Sequence, residues 1–295
     1  MASVWFKTRT TLEMIKWEHS IFALPFALTA AILAAQGQPE ARHGLPPGRI
    51  MIWILVAMIA ARSCAMAINR WADAELDAAN PRTRTRAIPA GLLSPQFVFG
   101  FTCVAALLFV LAADELNPLT LYLSPVVLLV LLGYSYMKRF TRWSHLGLGI
   151  ALGLAPSAAW IAVRGSLDMR IVVLSLAVTL WAGGFDVLYA CQDFSHDRAA
   201  GLYSLPQAIG IPGAFFAARA MHLGQLGLLV WFGLLFHFQV LGWLGIVAVA
   251  LLLAYEHSLV SPHDLRRLNA AFFTMNGVIA TVFLAFVAAD LWLRF

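Results

Sequence analysis

The sequence predicts an all-α polytopic membrane protein in which nine helices cross a bilayer. Three observations carry that reading. Of 295 residues, 61% are hydrophobic and only 12% are charged, with a mean hydropathy of +0.79; a water-soluble domain carries about a quarter charged residues. The apolar residues gather into runs close to the roughly 20 that a spanning helix needs. No ten-residue block alternates at period two, which argues against a β-barrel. The same composition excludes a disordered chain, which is poor in apolar residues and rich in charge.

The runs are, in order, Ile15–Ala35, Ile50–Trp71, Phe97–Ala113, Leu119–Tyr136, Leu146–Val163, Ile171–Cys191, Ala214–Phe236, Val240–Tyr255 and Ala270–Trp292. The first follows Lys7 and Arg9 as a signal peptide would. Glu13 and Glu18 are foreign to that pattern, however, and Thr10 with Glu13 reads as a capping box, so a retained helix is expected, kinked at Pro25. The second should end at Asn80-Pro81, because proline cannot continue a helix. The fifth and eighth are short and leave room for a further turn. The longest polar stretches, Ala72–Gln96 and Gln192–Pro212, follow the second and sixth runs. One domain spanning 1–295 is expected, without an appended soluble domain.

Orientation follows from the basic residues. With the N-terminus inside, the cytoplasmic face collects Lys7, Arg9, Lys16, Arg70, Arg82, Arg84, Arg86, Lys138, Arg139, Arg142, Arg198, Arg266 and Arg267. The other face has Arg42, Arg49, Arg164, Arg170 and Arg294, while Arg62 and Arg219 fall within spans. This satisfies the positive-inside rule and places the C-terminus outside. The net charge of +5 therefore reflects membrane orientation rather than nucleic-acid binding. Cys64, Cys103 and Cys191 match no zinc spacing or disulfide framework. Of the histidines, His19, His145, His196 and His257 lie near cytoplasmic ends and read as interfacial or hydrogen-bonding residues.

Two acidic clusters stand out. Asn69, Asp73 and Asp77 are spaced by four and drift only about 80° around a helix. Asp186, Tyr189, Asp193 and Asp197 form a second stripe if the sixth helix continues that far. Facing carboxylates repel unless a cation lies between them. Hard oxygen ligands suit Mg²⁺, which is commonly shared between carboxylates and phosphates. One such cluster could simply meet water and nearby arginines; two on the same side favour a metal-held diphosphate. Arg82, Arg86, Lys138 and Arg139 stand ready for phosphate oxygens, with Asn69 beside them. Arg62 sits in mid-span on nearly the same face as Asn69. An intramembrane arginine is a functional candidate, pairing either with a carboxylate of the protein or with one of a substrate. Tyr189 is the first aromatic candidate for the site, followed by Trp17 and Tyr136.

These motifs resemble those of the UbiA superfamily of intramembrane prenyltransferases. Asn69-x-x-x-Asp73-x-x-x-Asp77 resembles its first aspartate motif, and Arg82-Thr83 through Arg86-x-x-Pro89-x-Gly91 the segment after it. Asp186-x-x-Tyr189-x-x-x-Asp193-x-x-x-Asp197 resembles the second motif, and Lys138-Arg139-x-Thr141 the basic end of the fourth helix. Arg70 departs from the pattern, since many relatives carry aspartate there, and this removes one possible metal ligand. Lys16-Trp17-Glu18-His19, Phe22 to Phe26, Tyr189 to Asp193 and Tyr255-Glu256-His257 are similar to a bacterial subgroup labelled 4-hydroxybenzoate polyprenyltransferase. Part of that subgroup belongs to the futalosine route to menaquinone, where the acceptor is a dihydroxynaphthoate.

The resemblance implies a nine-helix bundle around a central cavity open sideways to lipid. It also implies Mg²⁺-dependent transfer of a polyprenyl chain from its diphosphate to an aromatic acid, in the bacterial inner membrane, with the site facing the cytoplasm. Asp73, Asp77, Asp193 and Asp197 would hold the metal, and Tyr189 would steady the allylic cation. Asp193 or Asp186 would draw the phenolic proton, and Arg62 or Lys16 would bind the acceptor's carboxylate. The competing class is an ion- or proton-coupled transporter, in which the same intramembrane charges mark an ion path. Acids at helix ends on one side only favour the enzyme.

Overall fold

A computed structural model describes residues 4–16, 22–41, 44–266, 268 and 274–293. Its helices are α1 (Val4–Ile15), α2 (Leu24–Ala35), α3 (Gly48–Ala72), α4 (Ala74–Ala79), α5 (Pro95–Leu116), α6 (Pro118–Gly133), α7 (Ser144–Arg164), α8 (Met169–Ala190), α9 (Phe194–Ala199), α10 (Leu205–Leu235), α11 (Val240–Ser258) and α12 (Asn276–Trp292). Short 3₁₀ turns, Tyr134–Arg139 and Cys191–Asp193, extend α6 and α8. Among the described residues there is no strand, only an isolated bridge between Ser261 and Asp264. Seven helices are long and apolar enough to cross a bilayer: α3, α5, α6, α7, α8, α10 and α11, with α6 counted together with its extension and α8 together with its extension and α9. The shorter apolar helices α2 and α12 coincide with the first and ninth predicted runs.

Helix ends follow local chemistry. Ser94, Asn117, Asp168 and Ser204 each accept a backbone N–H in the first turn of the helix that follows. Prolines 95, 118 and 206 occupy first turns, where the missing N–H costs nothing. Gly165, at φ 66°, closes α7 in the left-handed region. Arg164 then donates to the carbonyls of Ala34 (2.5 Å) and Gln36 (2.6 Å), tying the end of α7 to that of α2.

The first predicted segment needs correction. It is not one helix from Ile15 to Ala35: α1 ends at Ile15, Lys16 takes a left-handed φ of 51°, and α2 starts at Leu24. Pro25 produces no kink, because it stands in the first turn of α2. The Thr10–Glu13 pair is not a cap either. It lies inside α1, where the Thr10 hydroxyl donates to the Phe6 carbonyl at 2.8 Å and Glu13 pairs with Arg9 at 2.8 Å. The fifth and eighth runs gain the expected extra turns as α7 and α11. Trp17, His19, Arg42, Arg267 and Arg294 lie outside the described residues.

The core centres on α8, which packs between α7 and α10. Trp181 is fully buried and makes edge contacts with Phe26 (5.1 Å) and Phe185 (5.1 Å). Without a hydrophobic drive between helices in lipid, close packing relies on small residues. Gly149 and Gly153 on α7 provide it: a Cβ at Gly153 would press into the Thr179 hydroxyl and come within 2.6 Å of the Ser175 carbonyl oxygen. Ser157 and Ser175 then share a hydrogen bond of 2.7 Å across the seam.

Overpacking such a seam costs about 1–3 kcal/mol. Gly153→Val is expected to lower the thermal midpoint of the detergent-solubilised protein by several degrees. Gly227→Ala, where nothing lies within 4 Å of the added Cβ, should not lower it.

Candidate active site

A cavity of about 600 Å³ opens at one end of the bundle. Its wall is built where helices stop. α3 ends at Ala72, and Asp73 leaves helical geometry (φ −96°, ψ 8°) before α4 resumes for six residues and ends ahead of Asn80-Pro81. The 3₁₀ turn after α6, the first part of α7, the end of α8 with its extension, α9, and the segment that leads into α10 complete the wall. α1 contributes Thr10, Glu13 and Met14, followed by Lys16.

The two acidic stripes meet here. Asp73 is 2% exposed and Asp77 5%, so both carboxylates need partners. Lys138 Nζ lies 2.7 Å from Asp73 Oδ2, and Asn69 Nδ2 donates to the same oxygen at 3.2 Å. Arg86 Nη1 donates to both oxygens of Asp77, at 2.6 and 2.8 Å. The segment after the first stripe reaches across to the second. Arg82 Nε donates to Asp193 Oδ1 at 2.8 Å, its Nη2 donates to Oδ2, and Asn80 Nδ2 donates to Oδ1 at 2.9 Å. Arg82 Nη1 also donates to the Tyr189 hydroxyl at 3.1 Å, and its guanidinium lies 5.3 Å from that ring's centre. Burial lowers the Arg82 pKa, but the Asp193 hydrogen bonds and charge, with Tyr189 behind them, outweigh it and hold it above its ordinary value.

The remaining predicted residues fall as follows. Asp186 and Asp197 line the cavity, as do Arg62 and Lys16. Arg62 Nε is buried and has no hydrogen-bond partner among the described residues, so it is not consumed by either acidic stripe. Arg139 does not face the cavity; it donates to the Ala72 carbonyl and reaches Asp73 Oδ1 at 3.5 Å from behind. Tyr136 likewise turns outward and is covered by Arg139 at 5.0 Å. The cause is the 3₁₀ turn, in which residues three apart eclipse. Ser135 and Lys138 share the inner face, and Tyr136 and Arg139 share another. Arg84 is exposed and absent from the wall.

Residues 23–286 match the UbiA prenyltransferase family. The chain belongs to that family. It is 33% identical over 261 residues to the 4-hydroxybenzoate octaprenyltransferase of Ralstonia nicotianae, covering 87% of this chain and 85% of that one. The apo structure of a UbiA homolog from Aeropyrum pernix K1 superposes with a TM-score of 0.82 at 29% identity, over 92% of this chain and 98% of that one. A UbiA homolog from Archaeoglobus fulgidus bound to DMAPP and Mg²⁺ shares the fold at a TM-score of 0.74 and 17% identity, over 96% and 99% of the two chains.

Several wall residues of this UbiA-family chain escaped the sequence reading. Asn80 read only as a helix stop, yet its side chain joins the two stripes. Tyr134 and Ser135 carried no signal apart from their nearness to Lys138. His145 read as an interfacial or hydrogen-bonding residue; it is buried and hydrogen-bonded, and its partner, Asp186 at 2.7 Å, is what the sequence did not show.

Hydrogen bonds to charged groups are worth about 1.5–3 kcal/mol. In a double-mutant cycle of Arg82→Met and Asp193→Asn, unfolding free energies in detergent should show a coupling of that order. Simple additivity would mean that the clasp is not made.

Proposed function

We propose that this chain transfers a polyprenyl group from a polyprenyl diphosphate to a hydroxylated aromatic carboxylic acid, 4-hydroxybenzoate or a dihydroxynaphthoate, in respiratory quinone biosynthesis. The reading takes residues 1–295 as one Mg²⁺-dependent catalytic domain in a bacterial inner membrane, its cavity facing the cytoplasm. One observation carries it: both aspartate stripes and the cations that serve them line a single cavity at one end of the bundle. The name of the Ralstonia nicotianae relative supports the aromatic acid, and the Mg²⁺ and DMAPP bound by the Archaeoglobus fulgidus homolog support the cofactor and the donor.

The residues fit Mg²⁺. Asp73, Asp77, Asp193 and Asp197 offer only hard oxygen donors on facing walls. Among the described residues no three metal-binding side chains converge to hold an ion unaided. That suits an ion which keeps water and takes further ligands from a phosphate. Bound Mg²⁺ supplies Lewis-acid neutralisation of the leaving diphosphate.

The chain's own groups do the rest. Lys138, Arg82 and Arg86 already hold carboxylate oxygens, and the same donors serve phosphate oxygens. Asn69 extends that polar wall. As the C–O bond to diphosphate breaks, the Tyr189 ring steadies the allylic cation through its negative face. Arg62, with a donor to spare, holds the acceptor's carboxylate, and Lys16 flanks it at the rim. Between the two candidate bases, Asp186 is favoured. Asp193 accepts three hydrogen bonds from Arg82 and Asn80, whereas among the described residues only His145 bonds to Asp186. Surrounding helices exclude water that would quench the cation.

In purified membranes given a labelled prenyl diphosphate, Asp73→Asn and Asp193→Asn should each abolish transfer, and chelation of Mg²⁺ should do the same to the parent protein. Wild-type turnover in both variants would overturn the metal assignment. Arg62→Gln should raise KM for the aromatic acid about tenfold or more, the scale of one charge-assisted hydrogen bond, with KM for the prenyl donor unchanged.

A further inference from the structure

The wall holds one buried histidine for which the chemistry above finds no use. His145 sits in the first turn of α7, 5% exposed, and both of its ring nitrogens are engaged. Leu205 N, at the start of α10, donates to Nε2 at 3.2 Å. Nε2 is therefore an acceptor, and the ring proton lies on Nδ1. Nδ1 in turn lies 2.7 Å from Asp186 Oδ2 on α8. The imidazole is thus fixed by a backbone amide on one side and donates to a carboxylate on the other. Among the described residues no hydrogen bond reaches Asp186 Oδ1, and the side chain is 25% exposed, to the cavity that it lines.

We infer that His145 is a positioning residue for Asp186: it occupies Oδ2, locks the carboxylate's rotation, and leaves Oδ1 as the one oxygen presented to the acceptor's hydroxyl. The inference rests on the prenyl-transfer reading. The C–O bond of the prenyl diphosphate breaks with its electron pair going to diphosphate, and a ring carbon of the acceptor supplies the pair for the new C–C bond. The phenolic proton passes to Asp186 Oδ1 as that bond forms. It returns to the oxygen when the ring carbon's own proton leaves with the diphosphate and aromaticity is restored. His145 cannot serve as a relay in this sequence, because a second ring proton would have to displace the Leu205 N–H from Nε2. Its role is orientation, as with the second partner of a metal-bound histidine.

The surroundings make orientation worth having. The titratable groups that share the cavity wall with Asp186 include Arg62 and Arg70 on α3, Tyr134 and Lys138 after α6, Tyr189 beyond it on α8 and Asp193 in the extension of α8, with Glu13, Lys16, Asp73, Asp77, Arg82, Arg86, His196, Asp197 and Tyr203 on the rest of the wall. A carboxylate free to rotate among these cations would turn both oxygens to them. The hydrogen bond from His145 holds one oxygen back.

The test uses the full-length protein in membranes and two near-isosteric variants. His145→Asn keeps an N–H donor where Nδ1 stands, and His145→Gln keeps an acceptor for Leu205 N but loses the donor to Asp186. With prenyl diphosphate, Mg²⁺ and 4-hydroxybenzoate or a dihydroxynaphthoate, His145→Gln should lose about tenfold or more in kcat, the scale of a lost orienting partner. KM for the prenyl donor should hold, and His145→Asn should recover most of the rate. If both variants lose rate equally, if the loss falls on KM for the prenyl donor, or if neither loses any, the positioning role is wrong. If the parent protein prenylates neither acceptor, the functional reading itself fails first.

Discussion

Carboxylates in a bundle that faces lipid must be neutralised, and the end of this molecule is organised by that need. Removing one partner of a buried ion pair leaves an uncompensated charge, at a cost of about 3–5 kcal/mol. Asp73 and Asp77 are nearly inaccessible, and each is met by a cation from a different stretch of chain: Lys138 from beyond α6, Arg86 from the segment beyond α4. Asp193 is met by Arg82 and Asn80, which bring the two halves of the bundle into direct contact. These bonds draw together residues 113 apart in sequence. The cavity is the space they enclose.

That closure depends on how closely the spans can approach. α8 carries Asp186 and leads into Tyr189 and Asp193, so its height and rotation set the second stripe. Gly149 and Gly153 let α7 lie against its backbone, and Gly184 on α8 leaves room for the His222 ring of α10. A longer side chain at any of these positions would press into these neighbours and strain the packing that sets where α8 lies. Apolar seams deep in the bundle thus fix a polar geometry at its end.

The sequence made the spans legible because lipid demands long apolar runs, and it made the aspartates legible because charges are rare in such a chain. What it hid was local backbone geometry. A strict helix places Asn69, Asp73 and Asp77 on one face; the chain reaches the same result through a break at Asp73 and a short helix after it. Lys138, Arg139 and Tyr136 were all expected at the site, but a 3₁₀ turn has a period of three and brings only Lys138, with Ser135, to the cavity. The first span was misread because an apolar run does not report a left-handed residue such as Lys16. Asn80 and His145 gave no sign of their partners, which lie far away in the chain.

Arg70 completes the electrostatic logic. Its Nη1 donates to Asn69 Oδ1 at 3.1 Å, which fixes that amide with its NH₂ toward Asp73 and Ser135. The Asn69 oxygen is engaged, so Asn69 presents donors rather than a metal ligand. Among the described residues the wall carries Glu13, Asp73, Asp77, Asp186, Asp193 and Asp197 against Lys16, Arg62, Arg70, Arg82, Arg86 and Lys138. Those charges cancel. An aspartate at position 70 would make the wall two units more negative, and a diphosphate would then need more divalent charge beside it. With arginine there, the cavity starts neutral, and on the proposed reading the metal has only the substrate's own charge to balance. The substitution that weakens the first motif as a metal ligand set therefore strengthens it as an anion site.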